Sequence, residues 1–295
     1  MLLPLLLFGQ LFLPCNALSS GLLIIYPKVK APYNKIYQDI IKGINESYPG
    51  TSQELELLTN SERNVLAERI EQHQPDVLLT LGKRSLEKVR QLESSIPIVA
   101  GAVTTTKDAV SGVSMIPDAE VILSHLLTIA PFVQRVFVVT DLEHLAQLNS
   151  AETYLSERGK ALEVEEVTSV QEAANKYLKI IHRASAKDAI WLKRGASLSD
   201  PSILMLILEA AWKKKIVVFS SNPSHVKRGA LFSLYPDNEK MGRTLAKIAQ
   251  GQELIAPNTG LTPLRSVHLI VNKRTSKHLG IMPNNISGLK IHRLL

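Results

Sequence analysis

Four short stretches of this sequence carry side chains suited to holding a small charged molecule. Lys83, Arg84 and Ser85 follow one another, as do Thr104, Thr105 and Thr106; Lys193 and Arg194 precede a glycine; Ser220, Ser221 and Asn222 stand before Pro223. Lysine and arginine bring fixed positive charge that matches a carboxylate, and hydroxyls near a helix start add donors beside free backbone amides. Together they suit capture of an anion or carboxylate. If Lys193 and Arg194 face Lys83 and Arg84 across a cleft, their repulsion holds the empty cleft open until an anion neutralises it. Each group also has a plainer role: Ser85, Ser221 and Asn222 suit helix caps, and Lys83 and Arg84 suit a solvated loop. Tyr26, Tyr33 and Tyr235, near the ends of apolar runs, are candidates either to stack on a ligand ring or to pack.

These residues form no catalytic set. There is no GxxxxGK[ST] phosphate loop, no GxSxG turn and no HExxH, and the eight histidines lack metal-ligand spacing. Asp188, Asp200 and Asp237 stand singly at element boundaries rather than as an acid/base pair. The expectation is a binding protein, not an enzyme, with no cofactor and no metal. The 295 residues carry 34 Lys and Arg against 27 acids, a net charge of +7. The basic residues are spread along the chain rather than gathered in a block, so nucleic acid is not an expected partner.

Residues 1–17, MLLPLLLFGQLFLPCNA, contain no charge and are mostly Leu, Phe and Pro. The run is short for a membrane span and reads as a signal peptide cleaved after Ala17, which places the mature protein in the periplasm. A lipid anchor at Cys15 is the lesser alternative, because Phe12, Leu13 and Pro14 do not suit a lipoprotein cleavage site. Cys15 is the one cysteine, so the body of the chain has no disulfide.

From Gly21 onward, apolar runs of four to six residues alternate with segments of helical period, the pattern of βαβ units. The predicted strands are Leu22–Tyr26, Glu54–Leu58, Val77–Leu81, Ile96–Ala100, Val136–Thr140, Leu162–Val167, Ala189–Leu192, Ile216–Phe219, Ala230–Leu234 and Val267–Val271. The predicted helices are Tyr33–Glu46, Ser61–Gln72, Ser85–Leu92, Asp118–Ile129, Ala146–Arg158, Gln171–Arg183, Asp200–Lys213 and Asp237–Gln250. The succession of strand and helix from Leu22 to Ala100 repeats from Val136 to Phe219, with a joint at Gly112–Asp118 (GVSMIPD), where Gly and Pro punctuate the chain. The expected class is α/β: two doubly wound parallel-sheet lobes joined by a multi-strand hinge. Lobe I takes residues 21–115 and 236–263, and lobe II takes 116–235 and 264–295. Open parallel sheets bind ligands at the carboxyl ends of their strands, which is where the four polar stretches fall.

Four segments in this order, PDVLLTLGKRSLEKV (75–89) with IPIVAGAVT (96–104), GVSMIPDAEVILSHLLTIAPFVQRVFVVTD (112–141), KIVVFSSNPSHVKRGALFSLYPDNEKMGRTLAKIAQGQ (215–252) and HLIVNKRTSKHLGIMPN (268–284), carry a resemblance. The chain resembles the periplasmic substrate-binding proteins of ABC importers with the type I two-lobe fold, in the subfamily that includes aromatic amino-acid binders. The resemblance implies a small-molecule ligand, closure by hinge motion and delivery to an inner-membrane ABC permease. The same fold also serves periplasmic sensors that signal to a membrane kinase or cyclase, which is the alternative. Three positions depart from the family pattern. Lys83 and Arg84 stand where small residues precede a Thr or Ser; Lys193, Arg194 and Gly195 replace an Asp-Asn pair; Asn222 replaces an Asp. Bases gained and acids lost favour a carboxylate-bearing ligand over a free amino acid, whose ammonium needs an anion.

Overall fold

The computed structural model describes residues 21–58, 63–105, 110–141, 148–193, 201–251, 260–282, 286 and 288–295. The chain first builds β1 (Gly21–Pro27), α1 (Asn34–Ser47), β2 (Thr51–Leu57), α2 (Arg63–His73), β3 (Val77–Leu81), α3 (Lys83–Arg90), β4 (Ile98–Val103) and β5 (Ser111–Pro117). It continues through α4 (Ala119–Ile129), β6 (Arg135–Thr140), α5 (Asn149–Ser156), β7 (Ala161–Glu166), α6 (Val170–Arg183), β8 (Asp188–Leu192), α7 (Pro201–Lys214), β9 (Val217–Ser220), α8 (Ser224–Arg228) and β10 (Phe232–Pro236). The last elements are α9 (Asn238–Ala249), β11 (Thr262–Leu264), β12 (Val267–Val271), α10 (Lys273–His278) and β13 (Ile291–Leu294).

The described strands form two sheets, one of six in the order β11-β5-β4-β3-β1-β2 and one of seven in the order β13-β12-β10-β9-β8-β6-β7. Pairing is parallel except between β10 and β12. Near-continuous apolar runs such as LLII in β1 and AIWL in β8 are buried on both faces, as a parallel sheet between helices requires. In lobe I, one face of the sheet packs on α1 and α9 around Ile40, Ile44, Met241 and Leu245, and the other on α2 and α3 around Leu66, Ile70 and Val89. Lobe II repeats the three layers, with α4 and α5 on one face and α6 and α7 on the other. Burying each such Ile, Leu or Phe stabilises the fold by roughly 1.5–3 kcal/mol before chain entropy is counted. Helix α9 lies so close to α1 that a Cβ on Gly43 would fall 2.0 Å from the Glu239 carbonyl oxygen, and one on Gly242 would fall 2.0 Å from that of Ile40. Backbone meets backbone there, and any side chain would wedge the helices apart.

The chain crosses between the sheets three times: from β5 into α4, from β10 into α9 and from β11 into β12. Asp118 marks the first crossing. Its carboxylate accepts the Glu120 and Val121 amides to cap α4 and takes an ion pair from Arg265 at 2.7 Å, while its own amide donates to the Leu264 carbonyl. Asp237 marks the second, capping α9 and donating its amide to Ser266. Burial alone would push its carboxyl up, but the Lys240 amide and the His268 ring beside it hold it below the usual range. Strand direction fixes what the crossings enclose. β5, β10 and β11 all leave their sheets at their carboxyl ends, and α4 then runs out so that β6 must run back. The carboxyl edges of both sheets therefore border the hinge.

Element order follows the sequence reading, with additions. The predicted joint at Gly112–Asp118 falls in strand β5, which pairs with β4 over its first half and with β11 as far as Pro117, where the chain leaves lobe I. β11, β13, α8 and α10, of three to six residues each, fall below the length at which periodicity speaks.

Candidate functional site

Each sheet has one place where neighbouring strands send their connections to opposite faces, and a crevice opens there at the carboxyl ends. In lobe I it lies between β1 and β3, and in lobe II between β6 and β8. The residues at these two points are Tyr26, Gly82 and Ser85 on one side, and Thr140, Asp141, Leu192 and Lys193 on the other.

On the lobe I side, Tyr26 near the end of β1 stacks on Tyr37 of α1, with ring centroids 6.4 Å apart and planes 27° apart, and donates its hydroxyl to Glu54 at 3.3 Å. Burial, followed by the charges of Glu54 and Glu56, pushes the Tyr26 phenol up, and burial does the same for Tyr37, so both stay protonated donors. The Tyr37 hydroxyl lies over Gly82, where a Cβ would meet it at 2.9 Å; Gly82 has φ 85, a conformation that glycine takes without strain. Gly82 precedes α3 as its N-cap and, being glycine, offers the helix start no side-chain cap. In the first turn Ser85 is fully buried and its hydroxyl has no partner among the described residues. A buried hydroxyl without a partner is uncommon and calls for an explanation.

Lys83 and Arg84 stand at the rim. The Lys83 side chain is 82% exposed, with Glu87 3.6 Å away, and Arg84 donates to the Leu58 carbonyl at 3.4 Å. Thr104 follows β4 on the exposed side. The ladder with β5 slips between Ala100 and Val103 just before it, and Ala102 takes φ 56, a bulge that re-aims the strand end.

The lobe II side is organised by rings and by a closed set of hydrogen bonds. Trp191, Phe219 and Phe232 stack in turn across β8, β9 and β10 at 5.8 and 5.3 Å. The Trp191 indole N–H donates to Ser221 Oγ at 3.0 Å, and the Ser221 amide donates to the Leu192 carbonyl. Ser220 Oγ contacts the Leu192 carbonyl, His225 Nδ1 and the Asn222 amide, while the Asn222 side chain meets His225 Nε2 and the Ser224 amide. One proton assignment satisfies all of them: Ser220 donates to Leu192, His225 carries its proton on Nδ1, and the Asn222 amide donates to Nε2. Ser220 and Asn222 thus have the capping role. Ser221 accepts from Trp191 and retains its own proton to donate. Lys193 follows β8 at 7% exposure, a cation drawn into the crevice wall.

Among the nine residues singled out by sequence, Arg194 lies outside the described residues. Ser85 and Lys193 fall at the two switch points, Ser221 adjoins the lobe II one, and Lys83, Arg84, Thr104 and Asn222 form the rims. Tyr235 lies apart. Its ring tilts against His268 at 5.2 Å, inside the hinge, and His268 in turn stands 3.7 Å from Asp237. Sequence reasoning passed over Tyr37, which sits mid-helix, where only the position of Gly82 makes it significant. His225 reads from sequence as a surface or partner-satisfied imidazole, and its partners are Ser220 and Asn222. Among the described residues no group of three or more His, Cys, Asp or Glu is placed to hold a metal, and no helix is long and apolar enough to cross a membrane.

A family model for ABC transporter substrate-binding proteins matches residues 33–289. This chain belongs to that family. No curated protein matches the sequence significantly. The fold of the substrate-binding protein is that of several solved structures. A ligand-free, open substrate-binding protein with adhesive properties from Clostridium difficile covers 94% of this chain and is itself covered in full, at 15% identity and TM-score 0.65. An ABC domain in complex with L-Trp from Streptococcus pneumonia covers 94% and is covered in full, at 18% identity and TM-score 0.53. A periplasmic ribose ABC transporter protein from Conexibacter woesei covers 91%, with 98% of its own length, at 13% identity and TM-score 0.52. The two α/β lobes are therefore of the type I periplasmic-binding-protein kind.

Proposed function

We propose that this substrate-binding protein takes a small carboxylate-bearing or amino-acid-like solute into the cleft between its lobes, closes on it by hinge motion and presents the closed form to an inner-membrane ABC permease. One observation carries the reading: the buried Ser85 hydroxyl, without a partner among the described residues, beside the start of α3, which has no side-chain cap, at the lobe I switch point. A ligand oxygen there would satisfy the hydroxyl and the helix amides together, and the positive end of the helix dipole favours a negative one. Lys193 adds positive charge from lobe II, and Ser221 adds a donor. The Tyr26 and Tyr37 rings offer a flat apolar wall for the rest of the molecule. A ligand touching both walls stabilises the closed state over the open one by its differential affinity, which is all that hinge closure needs. The moving units would be residues 21–115 with 236–263 and residues 116–235 with 264–295. Residues 1–17 would be the leader that delivers the chain to the periplasm.

The test is a thermal-shift screen of residues 18–295 against dicarboxylates, amino acids, nucleosides, sugars and peptides. A ligand at a hundred times its Kd should add about 2.7 kcal/mol of stability. A carboxylate hit lost in both Ser85→Ala and Lys193→Ala supports the site. A hit that survives both substitutions places the ligand elsewhere and sinks it. A preference for free amino acids over their deaminated analogues would overturn the weight given to Lys193.

A further inference from the structure

Basic residues that are scattered in the sequence converge in the fold. Lys213 and Lys214 close α7 and Lys215 follows it; Lys227 and Arg228 close α8; Lys273, Arg274 and Lys277 lie on α10. All eight are exposed. The three helices are bound into one unit. The Asn272 amide donates to the Val226 carbonyl at 2.7 Å, Thr275 Oγ1 donates to Gly229 at 2.9 Å, and the His278 ring stacks on Trp212 at 3.7 Å while bonding its carbonyl at 2.9 Å. Arg274 lies over the same indole. The carboxyl ends of α7 and α8 lie at the amino-terminal edge of the β9 and β10 strands, and α10 lies at the outer end of β12, so the cations gather at the end of lobe II opposite the carboxyl edge that borders the hinge.

Charge balance makes this pole unlike the rest of the surface. Glu209, paired with Lys213 at 2.8 Å, is the one acid in residues 209–231, and residues 266–282 contain none. Lys215, Lys227, Arg228, Lys273 and Lys277 make no ion pair among the described residues. Without these eight cations, the 34 Lys and Arg of the chain become 26 against 27 acids, so the whole net charge resides here. Basic residues in a last helical turn do complement the helix dipole. That accounts for a residue or two per helix, not for the presence of Glu209 as the one acid in the two segments 209–231 and 266–282, nor for Lys215 and Lys273, which lie outside any last turn. Beside the cations, past the end of α10, Met282 is 60% exposed.

We propose that this pole docks the protein on an anionic phospholipid surface. A cluster of several Lys and Arg on one face, flanked by an exposed apolar side chain, is the chemistry that recognises such a surface, through many weak attractions that salt screens. The uncharged apolar run at residues 1–17, read as an export leader, favours a membrane over nucleic acid as the polyanion the mature chain meets. Docked by this pole, the protein keeps its cleft directed away from the bilayer surface and open to solute. The inference does not depend on which ligand the cleft takes.

The experiment is vesicle co-sedimentation of residues 18–295, the leader being left off because its own apolar run would bind any bilayer. Vesicles of phosphatidylcholine alone are compared with vesicles containing phosphatidylglycerol, at low and at raised salt. The expected result is binding to the anionic vesicles only, reversed by salt, and weakened at least tenfold in a Lys215→Glu, Lys227→Glu, Lys273→Glu, Lys277→Glu variant. A control with the same charge change at Lys30, Arg69, Lys179 and Lys247 should lose less than twofold. Equal loss in both variants would reduce the effect to net charge and overturn the docking pole. So would absence of vesicle binding at low salt, or tighter binding to duplex DNA than to anionic vesicles in a parallel anisotropy titration. Thermal melting of both variants separates loss of docking from loss of fold.

Discussion

The two walls of the cleft solve the problem of polar groups at a sheet edge in opposite ways. In lobe II the polar groups of the β9 loop satisfy one another: Ser220, Asn222 and His225 close a ring of hydrogen bonds, with Trp191 and Ser221 held against it. In lobe I the buried Ser85 hydroxyl has no partner among the described residues, and α3 starts with no side-chain cap. One wall satisfies its own polar groups, and the other keeps a buried hydroxyl that none of the described residues engages. The position of a serine at a strand-to-helix turn does not distinguish the two roles; its hydrogen-bond partners do.

The sharpest way to break this contrast is to remove the ring stack behind the lobe II wall. Phe219→Ala should cost about 3–5 kcal/mol, as large-to-small changes of buried aromatics do, measured by denaturant unfolding. A loss below about 1 kcal/mol would mean that the stack is not what holds the lobe II edge. Next comes a matched pair. Ser220→Ala strands the His225 proton and should lower stability by about 1–3 kcal/mol, whereas Ser85→Ala removes a hydroxyl with no partner among the described residues and should leave the unliganded protein unchanged or slightly firmer. Equal losses from the two would erase the distinction between the walls.

Acid offers a gentler probe. Asp188 lies beneath lobe II, where burial would raise its carboxyl, but the Arg135 guanidinium and Ser185 hold it below the usual range. A depressed carboxyl contributes stability that is complete above the unfolded value near 3.9 and is lost as pH falls through the lower folded value. Both tryptophans, Trp191 and Trp212, belong to lobe II, so indole fluorescence reports that lobe alone. Below about pH 4 the fluorescence should change before far-ultraviolet dichroism completes its loss, and Asp188→Asn, less stable at neutral pH, should flatten that acid dependence. Coincident transitions in the two signals would show the lobes yielding together. The smallest effect belongs to Tyr26→Phe, which deletes only an exposed 3.3 Å bond to Glu54 and should shift stability by less than about 0.5 kcal/mol while leaving the ring wall in place.

Much of this fold is legible from hydrophobic period. β1, β3, β8 and β12 are apolar runs bounded by polar turns, and α1 and α9 carry strong apolar faces. β5 escaped because Gly112 and Pro117 bracket a strand where such residues usually mark a turn. β11 and β13 escaped because three or four residues cannot show alternation, and β11 pairs with Val113 and Pro117, nearly 150 positions away, while β13 lies at the chain end. The site was legible as a set of loops at strand ends, which follows from topology alone. Which hydroxyl is engaged and which is open was not, since that depends on angles set by neighbours distant in sequence, as with Trp191 and Ser221. The polar concentration of charge was invisible for the same reason: no one segment contains it.

The intimate contact of α1 with α9, each glycine against the other helix's backbone, bears on how the molecule comes into being. Lobe I begins at residue 21, yet the helix that covers one face of its sheet and the strand β11 at its edge arrive only after lobe II has been laid down almost entirely. Arg243 meets Glu46 across 197 positions, and Thr262 meets Gly112 across 150. A chain emerging from its amino terminus must therefore wait, with the isoleucines of α1 uncovered, until its last fifth is available. Closing such long loops is entropically slow, and an uncovered apolar face in the interval invites association. Partial lengths ending before residue 237 should accumulate as aggregation-prone species, and a partner that shields α1 during that delay would have the most to contribute.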